Sequence, residues 1–93
     1  MTDLEITRLC AEAMGWEVFE EGGNLWERAG LVIYRPLHDD AQAMALVKKF
    51  RLSIGTDADQ WYLVLPDYPY KETNHADLNR AICECVAKMQ AKK

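Results

Sequence analysis

Trp16-Glu17-Val18-Phe19-Glu20-Glu21-Gly22-Gly23-Asn24-Leu25-Trp26-Glu27-Arg28 is the stretch on which the fold turns. Its first six residues have the aromatic and β-branched content of a strand. Gly22-Gly23-Asn24 then supplies the positive-φ residues that a tight hairpin turn demands. Leu25–Arg28 reads equally as a returning strand or as one arm of a long loop. Either way, a connection this short implies antiparallel rather than parallel pairing.

Before this stretch lies a helix. Thr2-Asp3-Leu4-Glu5 has the spacing of a capping box, and Ile6, Leu9, Cys10, Ala13 and Met14 recur on one helical face. Gly15 is placed to end it in a left-handed conformation. After it, Leu31-Val32-Ile33-Tyr34 is an unbroken apolar run, expected to be a central strand buried on both sides and stopped by Pro36.

Asp39 or Asp40 is expected to cap a second helix with the stripe Ala43, Leu46, Val47 and Phe50; Lys48, Lys49 and Arg51 crowd its C-terminal end. Leu52 and Ile54 alternate in a short strand, Gly55–Gln60 reads as a turn, and Trp61–Leu65 as a stronger strand. Pro66–Tyr70 is a rigid extended connector. Thr73 or Asn74 is expected to cap the last helix, whose stripe is Leu78, Ala81, Ile82, Cys85, Val86 and Met89. Glu84 lies off that stripe and is expected to tolerate substitution.

The expected fold is therefore α+β in the order α-β-β-(β)-α-β-β-α. An antiparallel sheet of about four strands carries three helices in a single domain spanning residues 1–93.

Composition narrows the function classes. The net charge is −4, and a general nucleic-acid binder needs a basic face, so no direct nucleic-acid partner is expected. No apolar run approaches the ~20 residues that span a bilayer, and Met1–Glu5 lacks the basic and apolar regions of a signal peptide. A cytoplasmic location follows as the expectation, with Cys10, Cys83 and Cys85 as reduced thiols. Cys83 and Cys85 point about 200° apart on a helix and do not readily share a metal.

Three pieces, in order, carry a family resemblance: Ala13-Met14-Gly15-Trp16, then Tyr34-Arg35-Pro36-Leu37-His38-Asp39-Asp40-Ala41-Gln42-Ala43-Met44, then Leu78-Asn79-Arg80-Ala81-Ile82-Cys83. Together they resemble the phage ABA sandwich domain family, over roughly residues 4–87. The resemblance implies an α/β/α sandwich and a phage or prophage origin, and it implies no reaction.

Candidate chemistry is sparse. His38-Asp39-Asp40 has the makings of a general base or metal site, but the chain's other histidine is His75 and no His-x-x-x-His or Glu-x-x-His spacing occurs. No metal, cofactor or catalytic residue is expected. The aromatics are the stronger lead, because aromatic side chains with polar tips and arginines dominate interface energetics. Trp26, Arg35, Tyr68 and Tyr70, each in or beside a turn or connector, are the expected partner-binding residues.

The leading expectation is thus a non-enzymatic phage accessory protein that binds a host or phage protein, inhibiting a host function, and that forms a homodimer. Two alternatives stand beside it. One is a small-molecule binder that sequesters a nucleotide-like signal, with Tyr34, Arg35 and His38 meeting an anion near a helix N-terminus. The other, the weakest, is a small hydrolase using His38 and Asp39.

Overall fold

The computed structural model describes residues 1–66 and 73–92, with the side chains of Thr73 and Asn74 left aside. Three helices alternate with strands: α1 (Asp3–Met14), β1 (Val18–Glu21), β2 (Asn24–Glu27), β3 (Val32–Tyr34), α2 (Asp40–Phe50), β4 (Ser53–Asp57), β5 (Gln60–Val64), β6 (Thr73–His75) and α3 (Leu78–Ala91). The α+β class, the antiparallel pairing and the three helices match the sequence reading. The strands, however, form two separate three-stranded sheets, β1-β2-β3 and β4-β5-β6, instead of one sheet of about four.

Local chemistry explains each boundary. Thr2 caps α1, its hydroxyl accepting the Glu5 N–H at 3.1 Å while the Glu5 carboxylate accepts the Thr2 N–H at 3.5 Å, which is the reciprocal box. Gly15 closes the helix at φ 77°. Trp16 is drawn into this cap, its N–H donating to the Ala11 carbonyl, so the first strand starts only at Val18. Asp39, not Asp40, caps α2. Asp77 caps α3, a correction to the expected Thr73 or Asn74; those two residues belong to β6 instead.

Two other expectations are overturned. Gly55, Thr56 and Asp57 continue β4 and Gln60 begins β5, so the turn shrinks to Ala58-Asp59, both left-handed at φ 50° and 67°. Leu31–Tyr34 is not a central strand. β3 bonds only to β2, and Leu31 and Val32 are 67% and 53% exposed. The sheet ends at β3, so the apolar run has a neighbour on one side only.

The core gathers around α3, which packs on α1, α2, β5 and β6. Ala81, Ile82, Cys83, Cys85, Val86 and Ala87 are all buried. The sequence shows one stripe, yet Cys83 and Ala87 lie off it and are covered as well. Cys10 on α1 explains this, for its thiol donates to the Cys83 carbonyl at 3.4 Å. Small side chains there let α1 sit close against the second side of α3.

Polar latches hold the helix starts together. Arg80 donates to Asp3 at 2.8 Å and to Glu84 at 2.9 Å, and Asn79 donates to Asp40 at 2.8 Å. Glu84 is therefore not a bystander; its side chain is only 24% exposed. α1, α2 and α3 all touch one another. β2 packs on α1, and β5 and β6 pack on α3.

Candidate functional site

The first sheet carries the candidate site. Gly22 and Gly23, at φ 63° and 80°, form the two-residue turn whose twist suits a hairpin. That turn fixes the register: Glu21 faces Asn24, Phe19 faces Trp26, and Trp26 in turn faces Ile33 on β3. Paired residues share a face, so Phe19, Trp26 and Ile33 form one row across three strands. The residues between them project the other way. There Leu25 and Tyr34 are buried and Val18 packs on the core. The Phe19–Trp26–Ile33 row therefore faces away from the core, half-buried and outside the core cluster.

Each aromatic is held. The Arg28 guanidinium lies 5.4 Å from the centre of the Phe19 ring, a cation–π distance, and pairs with the Glu17 carboxylate at 3.6 Å. The Trp26 indole N–H donates to the Glu21 carbonyl at 3.1 Å, which fixes the ring's rotation. Charged and polar residues (Glu17, Arg28, Glu21 and Asn24) surround an apolar centre, the anatomy of a protein interface. Rings fixed before binding lose little entropy on binding.

The third strand is positioned by two devices. In the turn before it, the Glu27 carboxylate accepts the N–H groups of Ala29 at 3.2 Å and Gly30 at 3.0 Å. A Cβ at Gly30 would stand 2.8 Å from that carboxylate, so a larger residue there would have to displace the Glu27 side chain. On the far side, Gln42 of α2 accepts the Arg35 N–H at 2.6 Å and donates to the Ile33 carbonyl at 2.9 Å. Its amide thus imitates a neighbouring strand and closes the free edge of β3.

A second feature is a cavity of about 140 Å³ between the start of α1, the hairpin tip and the 35–38 turn. Tyr34, Arg35 and His38 all line it, together with Asp3 and Leu25. Arg35 and His38 are exposed. Tyr34 contributes ring surface only: its hydroxyl is shut away from solvent and finds no hydrogen-bond partner among the described residues. Burial and the neighbouring Cys10 and Cys83 thiols push its ionisation well above the usual tyrosine range. The ring packs edge-on to Trp16, centroids 5.1 Å apart. The cavity's carboxylate is already engaged, since the hydrogen bond from Arg80 lowers the Asp3 pKa.

Of the expected site residues, Trp26 stands on the sheet face, and Tyr34, Arg35 and His38 come together at the cavity. Tyr68 and Tyr70 lie outside the described residues. The Asp39 carboxylate accepts the Gln42 N–H at 3.0 Å as the α2 cap, and no hydrogen bond joins it to His38 among the described residues. Phe19, Ile33 and Gln42 were missed. Counting outward from the Gly-Gly turn would have found Phe19 opposite Trp26; nothing in the sequence marks Gln42.

All three cysteines are buried and free. The hydrogen bond with Cys10, then burial, pushes the Cys83 thiol up, which keeps it protonated and unreactive. Among the described residues no three His, Cys, Asp or Glu side chains gather as metal ligands, and no helix is long and apolar enough to cross a membrane. Comparison with known proteins finds no matching family model, no matching curated protein and no matching solved structure.

Proposed function

We propose that this chain is a non-enzymatic phage or prophage accessory protein that binds a host protein through the outer face of the β1-β2-β3 sheet. The observation that carries the reading is the Phe19–Trp26–Ile33 row, an aromatic-centred apolar strip outside the core and rimmed by charge. A small domain gains nothing in stability from leaving such a row partly exposed, whereas a buried Trp at the centre of an interface is a common binding hot spot. The phage origin rests on the sequence resemblance alone, and inhibition of a host component is the role that suits such an accessory protein.

Capture from bacterial lysate tests it. Wild type, Phe19→Ala and Trp26→Ala are compared, with melts run in parallel. Loss of the same captured protein from both folded variants supports the reading; its retention by both refutes it.

A second reading is favoured by one observation, the convergence of Tyr34, Arg35 and His38 on the 140 Å³ cavity. It makes the protein a binder of a small anionic ligand, with Arg35 and His38 as the contacting groups. Inorganic phosphate and nucleoside phosphates, titrated against the His38 ring resonances, test this reading. Unshifted resonances would end it.

A further inference from the structure

The two sheets treat their outer strands differently. Gln42 closes the edge of β3, but β4 has β5 on one side and, among the described residues, no strand bonded on the other. The Ala58-Asp59 turn is a two-residue hairpin, so Asp57 and Gln60 form its hydrogen-bonded pair, and every second residue along β4 turns its backbone toward β5. Ile54 and Thr56 therefore point their N–H and C=O groups outward, where they find no partner among the described residues. Natural edges are blunted with proline, lysine, a bulge or a cover. Ser53–Asp57 holds no Pro or Lys, its register with β5 runs without a bulge, and Ser53, Ile54, Thr56 and Asp57 are exposed.

Charge is distributed along this edge with opposite signs at its two ends. Lys48, Lys49 and Arg51 precede the strand, and the acidic turn at Asp59 follows it. An antiparallel neighbour with the same polarity sets each basic end against an acidic one. A second copy of the chain meets that condition automatically.

We propose that two copies pair antiparallel along β4 about a two-fold axis at Gly55, joining their β4-β5-β6 sheets into one six-stranded sheet. In this register Ile54 exchanges both backbone hydrogen bonds with the partner's Thr56, and the symmetric pair does the same, so all four outward groups are satisfied. The basic end at Arg51 lies toward the partner's acidic turn at Asp59. Gly55 sits at the axis, and on one face the Tyr62 ring of the same copy lies over it where a Cβ would clash. The half-exposed Ile54 side chain gains a neighbour across the new pairing. Such an interface is isologous and closed, so it stops at the dimer. The surface is distinct from the Phe19–Trp26–Ile33 face, which stays open to another partner.

Sedimentation equilibrium from low to high micromolar concentration tests the pairing. Wild type is expected to shift from monomer to dimer. Thr56→Pro deletes an outward N–H and leaves the β4–β5 ladder intact; it is expected to weaken the dimer by more than about tenfold with an unchanged far-UV spectrum. Arg51→Asp and Asp59→Lys are each expected to weaken it several-fold, and the double variant to restore it, which keeps the test decisive if Thr56→Pro fails to fold. A wild type that stays monomeric throughout overturns the proposal. So does a dimer that survives Thr56→Pro and both charge reversals, or one that Trp26→Ala dissolves instead.

Discussion

Gln42 offers a clean perturbation because its side chain performs one task. In Gln42→Ala the Arg35 N–H loses its 2.6 Å acceptor and the Ile33 carbonyl its 2.9 Å donor. A typical intramolecular hydrogen bond is worth about 0.5–1.5 kcal/mol net. One of these two is exposed and the other part-buried, so water replaces some of the loss and a total of about 1–2 kcal/mol is expected. For a domain of this size each kcal/mol lowers Tm by roughly 4–8 °C. Urea melts give the free energy, and amide exchange at Arg35 gives the local effect, since that N–H should lose its protection. Gln42→Glu keeps the acceptor but sets a carboxylate oxygen against the Ile33 carbonyl, so it should restore protection at Arg35 without restoring full stability. If Gln42→Ala melts like wild type and Arg35 exchanges no faster, Gln42 does not hold β3, and the account of how Ile33 is positioned is wrong.

Other consequences follow from the core and the latches. Ile82→Ala and Leu46→Ala, both fully buried, should each cost about 2–4 kcal/mol in denaturant melts. Glu84→Ala should cost about 1 kcal/mol, because it strips Arg80 of a part-buried 2.9 Å bond; a neutral result would mean the contact is idle. Asp3 is held below its ordinary 3.8 by Arg80, so its contribution is fully present above that value and fades as pH falls through the lower folded-state pKa. Asp3→Asn should therefore destabilise at neutral pH, and its melting curve should converge with wild type in strong acid; a gap that widened on acidification would reverse the sign. Buried Cys10, Cys83 and Cys85 should resist a thiol reagent in the native state and react together in denaturant, and fast native labelling of any one would contradict its burial.

Much of the fold was legible because it rests on short-range chemistry. The Thr2–Glu5 box, Gly15, the Gly22-Gly23 turn and the apolar stripes of α2 and α3 each impose their geometry within four residues. What was misread depends on contacts that a linear pattern does not carry. Leu31–Tyr34 has the composition of a central strand, but its position in the sheet is decided by whether another strand arrives beside it, and among the described residues none does. Cys83 and Ala87 look like surface positions on α3 until α1 covers them. Thr73 and Asn74 have good capping side chains, yet pairing with β5 claims their backbone and leaves the cap to Asp77. The candidate site divides in the same way. Trp26 stood out by composition, while its alignment with Phe19 and Ile33 needed the register, and the role of Gln42 needed the packing of α2 beside β3.

Binding of a protein by the Phe19–Trp26–Ile33 face has a direct readout. Amide hydrogen exchange on the chain alone, and then saturated with the captured partner, tests it most directly. New protection is expected on Val18–Glu21, Asn24–Glu27 and Val32–Tyr34, absent when Trp26→Ala is used at the same concentrations, because truncating such a hot spot weakens binding about thirtyfold. Protection confined to the Arg35–His38 cavity or to β4, with Trp26→Ala binding as tightly as wild type, would contradict it.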